Sequence, residues 1–299
     1  MRPDVNHPVA ARRQAGAPRP VLRRLLWPLT ALLSLLVAGG GTLLYSLQRQ
    51  RLTESIAEQI AVTNREFRID LQNHTAGLTL ALQVIATDPA TQQALRDSDA
   101  EALVATWSPH FDHWRREAQF THLRFTDVQH VCLARVHQPD RRGDVSPLDT
   151  ARTAERAGRL ASGIELDSAG SPTLWVVCPI NAAGRLLGYA ELGKDLANIV
   201  AQRQGDAGLH VALTVQKEYL DRERWEAGLR ALGRAPDWDR LPATLLVTDS
   251  DVPVAQAFVR WLDAQEDLPG RGEIEREMVR DGRTWWCAAM PRTGRSASC

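Results

Sequence analysis

At 299 residues the chain is long enough for one large domain or two small ones with their own cores. Its 36 Lys and Arg balance 36 Asp and Glu, which excludes a global field that would draw nucleic acid or an acidic partner. Four cysteines (132, 178, 287 and 299) lack any C-x-x-C spacing, so zinc ribbons and thioredoxin-like chemistry are unsupported.

Residues 1–24 carry six Arg against the single acid Asp4, with several Pro, and read as a basic, disordered cytoplasmic arm. No charge then occurs from Leu25 to Gln48. As a helix this run extends about 35 Å, enough to cross a hydrocarbon core of about 30 Å. Residues 25–47 therefore read as a transmembrane helix with Trp27 and Tyr45 near its two ends. The basic arm stays in the cytoplasm, and everything after about residue 48 lies in the periplasm or exterior of a single-pass inner-membrane protein. A cleaved signal peptide ending near Gly39 is the competing reading.

Leu52, Ile56, Ile60, Phe67, Leu71, Leu78 and Ile85 recur at helical spacing with polar residues between them. They predict a stalk helix over 48–87, reaching about 58 Å from Arg49 to Thr87. Its narrow apolar seam suits a homodimer. The run "DPAT" at 88–91 ends this helix, and two shorter helices fill 90–118.

Strand patterns follow at 120–126, 131–137, 162–166, 173–180 and 185–192, with a helix near 148–160 and another over 194–204. Gly188, Gly193 and Lys194 imitate a phosphate loop, but Asp195 stands where Ser or Thr must hold Mg²⁺. The segment reads instead as a strand, with Gly193 turning the chain and Lys194 and Asp195 opening an exit helix. A second lobe over 205–299 adds strands near 210–216, 243–248 and 274–290 and helices near 220–233 and 254–265. The helical run "LDRERWEAGLR" is a solvated face anchored by Trp225. The class is α+β: transmembrane helix, stalk helix and two antiparallel-sheet lobes, 88–204 distal and 205–299 proximal to the membrane.

Alternation splits the first lobe's strands into two faces. Leu123, Phe125, Ala134, Val136, Ile164, Leu166, Leu174, Val176, Cys178, Leu186, Gly188, Ala190 and Leu192 form an apolar face for the stalk helix. His122, Arg124, Arg135, His137, Glu165, Trp175, Tyr189 and Glu191 form the other. That face is either solvated, as is usual for an antiparallel sheet, or covered as a pocket. In a pocket the guanidinium forks of Arg124 and Arg135 would hold the carboxylate of an organic acid or amino acid, with Trp175 or Tyr189 on its carbon skeleton.

Cys132 and Cys178 are either small buried residues or, outside the cytoplasm, a disulfide. His110 and His113 have a zinc-compatible spacing but no third ligand, and His74 reads as a helix-interface residue. No G-x-S-x-G, H-E-x-x-H or general acid and base pair stands out, so no catalytic residue, metal or cofactor is assigned.

The stretch from Thr121–His122 through Arg135–His137, Pro139, Gly143–Asp144, Gly163–Leu166 and Gly188–Lys194, with "KEYLDRERWEAGLRALGRAPDWDRLP" beyond, resembles the double Cache sensory domains, type-three subgroup, of bacterial transmembrane sensor kinases, diguanylate cyclases and chemoreceptors. The resemblance implies two PAS-like sheets on a long helix and a small-molecule ligand in the membrane-distal lobe. It depicts an input module for signal transduction rather than an enzyme. A membrane-anchored binding or interaction protein without signalling output is the alternative. The family's strand tends to carry Arg where this chain has Trp175, and its Gly-Ile-Glu-Leu-Gly ends here in Asp167. No second apolar run of spanning length follows, so the expectation is a truncated second lobe or a separate signalling subunit.

Overall fold

The computed structural model describes residues 20–167, 170–202, 213–231, 235–247, 257–261, 274–280, 283–289 and 297–298. The chain divides into two units, Met1–Ala61 and Val62–Cys299. Helix α1 (Pro20–Thr87) begins inside the expected basic arm and includes Pro28; residues 1–19 lie outside the described residues.

In the first unit Leu26–Arg51 is a 26-residue stretch of mean hydropathy 1.6, long and apolar enough to cross a membrane. Its Leu29, Leu33, Leu36, Leu43 and Leu44 all point outward. The side chains of Leu52, Ile56 and Ile60, three positions of the expected seam, lie outside the described residues.

In the second unit the remainder of α1 buries Leu71, Leu78, Leu82 and Ile85, spaced to share one helix face. Asp88 ends it and caps the next helix, α2 (Pro89–Asp97), by accepting from Thr91 N at 2.7 Å with Pro89 in the first turn. Asp99 does the same for α3 (Ala100–Glu117), whose Leu103, Trp107 and Phe111 enter the core.

The first lobe's sheet has strands β1 (His122–Thr126), β2 (Cys132–Arg135), β3 (Ala161–Leu166), β4 (Pro172–Ala182) and β5 (Arg185–Asp195). Their order is β3-β4-β5-β1-β2, all antiparallel, and α4 (Asp149–Ala157) sits between β2 and β3 in sequence. The two-residue strand Ala297–Ser298 pairs with Gly163 and Ile164 at the β3 edge.

Leu123, Phe125, Ala134, Val136, Leu174, Val176, Cys178, Ala190 and Leu192 join α1, α2 and α3 in one buried cluster, the expected apolar face. Two β-bulges interrupt the pairing. A register shift between Ile180 and Asn181 pairs Asn181 with Leu186 and leaves Leu187 extra. One added residue reverses the face of everything beyond it. Leu186 therefore packs with Trp175 and Tyr189 on the opposite side, and the expectation that it faces the stalk helix is corrected. The second shift pairs Thr126 with Cys132, which turns Cys132 to the polar side while Cys178 stays on the apolar one. Both are free thiols, so the disulfide alternative is excluded.

The end of β5 also differs from expectation. Gly193 and Lys194 continue the strand, pairing with Trp175 and Leu174 of β4, and only Asp195 opens α5 (Leu196–Ala201) by accepting from Ala197 N at 2.8 Å. Gly193 is required by packing rather than by a turn: a Cβ there would lie 3.0 Å from the Trp175 ring. At Gly188, with φ of +154°, a Cβ would collide with the Thr126 carbonyl oxygen.

The second lobe's described strands form two ribbons, β6 (Thr214–Gln216) with β7 (Thr244–Leu246), which bracket α6 (Arg222–Ala231) in sequence, and β8 (Ile274–Arg280) with β9 (Arg283–Ala289). Trp225 is buried there as expected, edge-on to Trp238. Parts of the expected 210–216 and 243–248 strands and of the 254–265 helix lie outside the described residues.

Candidate functional site

The register of β4, β5, β1 and β2 arranges the polar face in rows. Trp175, Gly193 and His122 form one; Val177, Glu191, Arg124 and Arg135 the next; Pro179, Tyr189, Thr126 and Cys132 the third. Adjacent rows lie about 7 Å apart along the strands. This face is covered, not solvated: Arg124 is 5% exposed, Arg135 3% and Glu191 0%. Leu148, Ala151 and Ala154 at and within α4 pack onto Trp175, Val177 and Tyr189 to close it.

Charges so buried must be paired. Arg124 Nε donates to Glu191 Oε2, and its Nη2 donates to Ser146 Oγ at 3.1 Å. The guanidinium lies over the Trp175 ring, 4.6 Å from its centre, a cation–π contact. Trp175, standing where the resemblance expects Arg, thus becomes the platform for Arg124.

Arg135 is held by Asp144 through two hydrogen bonds of 2.7 and 2.6 Å. That fork raises the Arg135 pKa and pulls the Asp144 carboxyl below its usual range. Neither guanidinium is therefore the unoccupied fork that the sequence suggested. Burial pushes the Cys132 thiol up, so it stays protonated and is no activated nucleophile.

His122 Nε2 lies 3.3 Å from Asp167 Oδ2, and its ring meets Trp175 at 5.1 Å and His137 at 4.7 Å. His137 reaches the Leu123 backbone through Nδ1; burial, then the neighbouring His122, lowers its pKa to about 3, so it is neutral at physiological pH. Glu165 serves a different purpose: its oxygens accept from Asp149 N at 2.7 Å and Thr150 N at 2.6 Å, supplying the helix cap that Leu148 cannot. It fixes the cover over the face.

Sequence reasoning missed Thr126, His130, Asp144, Ser146 and Asp167. Thr126 ends a strand whose alternation already assigned His122 and Arg124 to this face, so its position was legible. His130 was not: it sits in the β1–β2 turn at φ of +63°, stacked on Tyr189 at 4.6 Å with Nε2 3.1 Å from Glu155 Oε2.

Five buried side-chain polar atoms lack a hydrogen-bond partner among the described residues, and four belong to this face: Trp175 Nε1, Glu191 Oε1, Thr126 Oγ1 and His130 Nδ1. Such orphans are uncommon in folded proteins, and each calls for an explanation such as a bound water, ion or ligand. Among the described residues no three His, Cys, Asp or Glu could hold a metal ion. His110 and His113 are exposed on α3, and His74 lies 3.4 Å from the buried Lys194 amine.

Solved structures with similar folds include sensor and ligand-binding domains. The structure is similar to the sensor domain of Escherichia coli DcuS, with 18% identity, 45% of this chain and 97% of that one covered, and a TM-score of 0.39. It is also similar to the sensor domain of the Vibrio cholerae histidine kinase DctB, with 15% identity, coverage of 77% and 86%, and a TM-score of 0.36. A third similar structure is the ligand-binding domain of the Pseudomonas aeruginosa amino-acid chemoreceptor PctC in complex with GABA, with 20% identity, coverage of 75% and 94%, and a TM-score of 0.36. A search of curated proteins finds no match. Residues 53–246, well over half of the chain, match the double sensory domain of two-component sensor kinases. The chain belongs to that double Cache family and is a sensory input module of signal transduction.

Proposed function

We propose that the covered polar face of the first lobe, within 88–204, is the ligand site of this sensory module and receives a small organic acid or amino acid. The observation that carries the reading is the gathering of four orphaned polar atoms around the buried Arg124–Glu191 pair. Groups so arranged gain hydrogen bonds only when something polar enters between them. His122, Arg124, Trp175, Tyr189 and Glu191 are the proposed contacts; Arg135 joins them if Asp144 swings into water, where its side chain is already half exposed. Calorimetric titration of the full chain in nanodiscs against organic acids and amino acids tests the reading. A binder whose affinity is unchanged in Trp175→Phe and in Arg124→Met/Glu191→Met, or no binder at all, would overturn it.

The apolar stretch Leu26–Arg51 is proposed as a retained anchor that leaves later residues outside the cytoplasm, with 205–299 as the second lobe. A mature N-terminus near Gly39 in the purified protein would refute retention. A homodimer through α1 is proposed from a second stripe. Val62, Ile69, Leu80 and Val84 are exposed and, at 100° per residue, lie opposite the buried Leu71, Leu78 and Leu82. Ile69→Cys and Leu80→Cys should each crosslink to a dimer in membranes; monomer alone would refute this.

A further inference from the structure

The orphaned atoms differ in kind, and the difference sets a direction. Trp175 Nε1 only donates, and an ionised Glu191 only accepts. The Glu155 carboxylate beside His130 Nε2, 3.1 Å away, requires a hydrogen on that nitrogen. In the neutral ring this leaves Nδ1 as an acceptor. The Thr126 hydroxyl can do either. Along the strands the order is Trp175 in the first row, Glu191 in the second, Thr126 in the third, with His130 stacked on Tyr189 of that third row. A donor therefore waits at one end of the face, and acceptors at the middle and the other end.

We propose that His130 and Thr126, with Glu191, form a specificity subsite that selects a ligand carrying hydrogen-bond donors at its inner end, an ammonium or a hydroxyl, while Trp175 Nε1 receives an acceptor at the opposite end. This rests on the polar face being the ligand site. The three rows span about 13 Å between the Cα atoms of the outer two, so the ligand is a short, two-ended molecule. The His130 backbone, in the left-handed region, is held by Asp127 Oδ1, which accepts from Gln129 N at 2.8 Å and Val131 N at 2.9 Å. Its ring thus enters the site pre-positioned by a turn, a stack and Glu155.

The test is thermal unfolding and calorimetry of the full chain in nanodiscs with straight-chain acids of three to six carbons. Each acid bears an ammonium, a hydroxyl, a methyl or a second carboxylate at or next to the far end. Members bearing an ammonium or hydroxyl should bind and raise the unfolding temperature; the methyl and dicarboxylate members should not. Thr126→Val, which replaces an unpaired hydroxyl by a methyl of the same shape, should leave unliganded stability unchanged or slightly higher. It should weaken the best amine or hydroxyl probe about tenfold. His130→Asn, which tolerates the same backbone, should weaken it likewise. Preferential binding of dicarboxylates, or full affinity in both variants, would overturn the subsite and leave the site reading standing. No response to any probe would count against both.

Discussion

Arg124 and Glu191 invite a test that separates stability from function. Changing Arg124 to Met leaves the Glu191 carboxylate, 0% exposed, with only the Ser146 hydroxyl at 3.3 Å beside it. Breaking a buried pair from one side costs about 3–5 kcal/mol. For a unit of this size that lowers the unfolding temperature by about 10 °C. Changing both residues to Met removes the charge along with its partner and keeps the volume apolar over the Trp175 ring. Stability should return to within about 1 kcal/mol of the parent. Chemical unfolding of the four proteins of the cycle, followed by fluorescence at pH 7.5, reads all of this. A double variant as unstable as the single one would refute the view that the single variant's loss comes from a stranded buried charge.

Gly188→Ala drives a methyl into the Thr126 carbonyl oxygen and should destabilise by several kcal/mol or prevent folding, measured by the same unfolding curves. Burial alone lowers the Lys194 pKa, and burial, then Lys194, lowers that of His74. Both folded-state values lie below the unfolded ones, so the unfolded chain binds more protons and stability should rise with pH. Lys194→Met should therefore be more stable than the parent at pH 6, with the advantage fading as pH approaches 10; a gain that is the same at both pH values would contradict this. Asp144→Asn removes the charge opposite a buried guanidinium from a side chain that is itself half exposed, and Arg135 keeps its bond to the Arg141 carbonyl, so stability should fall by about 1–3 kcal/mol. Carboxylate probes should then bind more tightly in calorimetry.

The two faces of the first-lobe sheet were legible because β1, β4 and β5 alternate cleanly, which placed Arg124, Trp175, Tyr189 and Glu191 on one side. Alternation cannot reveal a bulge, since one extra residue leaves no compositional mark; hence Leu186 changed sides, and Cys132, left unassigned by alternation, lies on the polar one. Partners brought from turns were also beyond reach. Asp144, Ser146 and Asp167 meet the face through chain reversals whose endpoints no local pattern specifies. Glu165 was assigned to the correct side, yet its carboxylate caps α4, a role that depends on where that helix docks. Lys194 followed a glycine and preceded an aspartate, the signature of an exit turn. Pairing with Leu174 on the neighbouring strand overrode that local preference.

Of the chain's nine tryptophans, Trp175 alone puts an orphaned indole N–H on the first lobe's polar face among the described residues. The indole N–H spectrum of the ¹⁵N-labelled full chain in nanodiscs, with Trp175 assigned through Trp175→Phe, therefore locates binding most directly. Titrating a binder should shift the Trp175 resonance towards the position of a hydrogen-bonded indole while Trp225 and Trp238 of the second lobe stay in place. Saturable binding that moves the second-lobe resonances and leaves Trp175 unchanged would contradict the account.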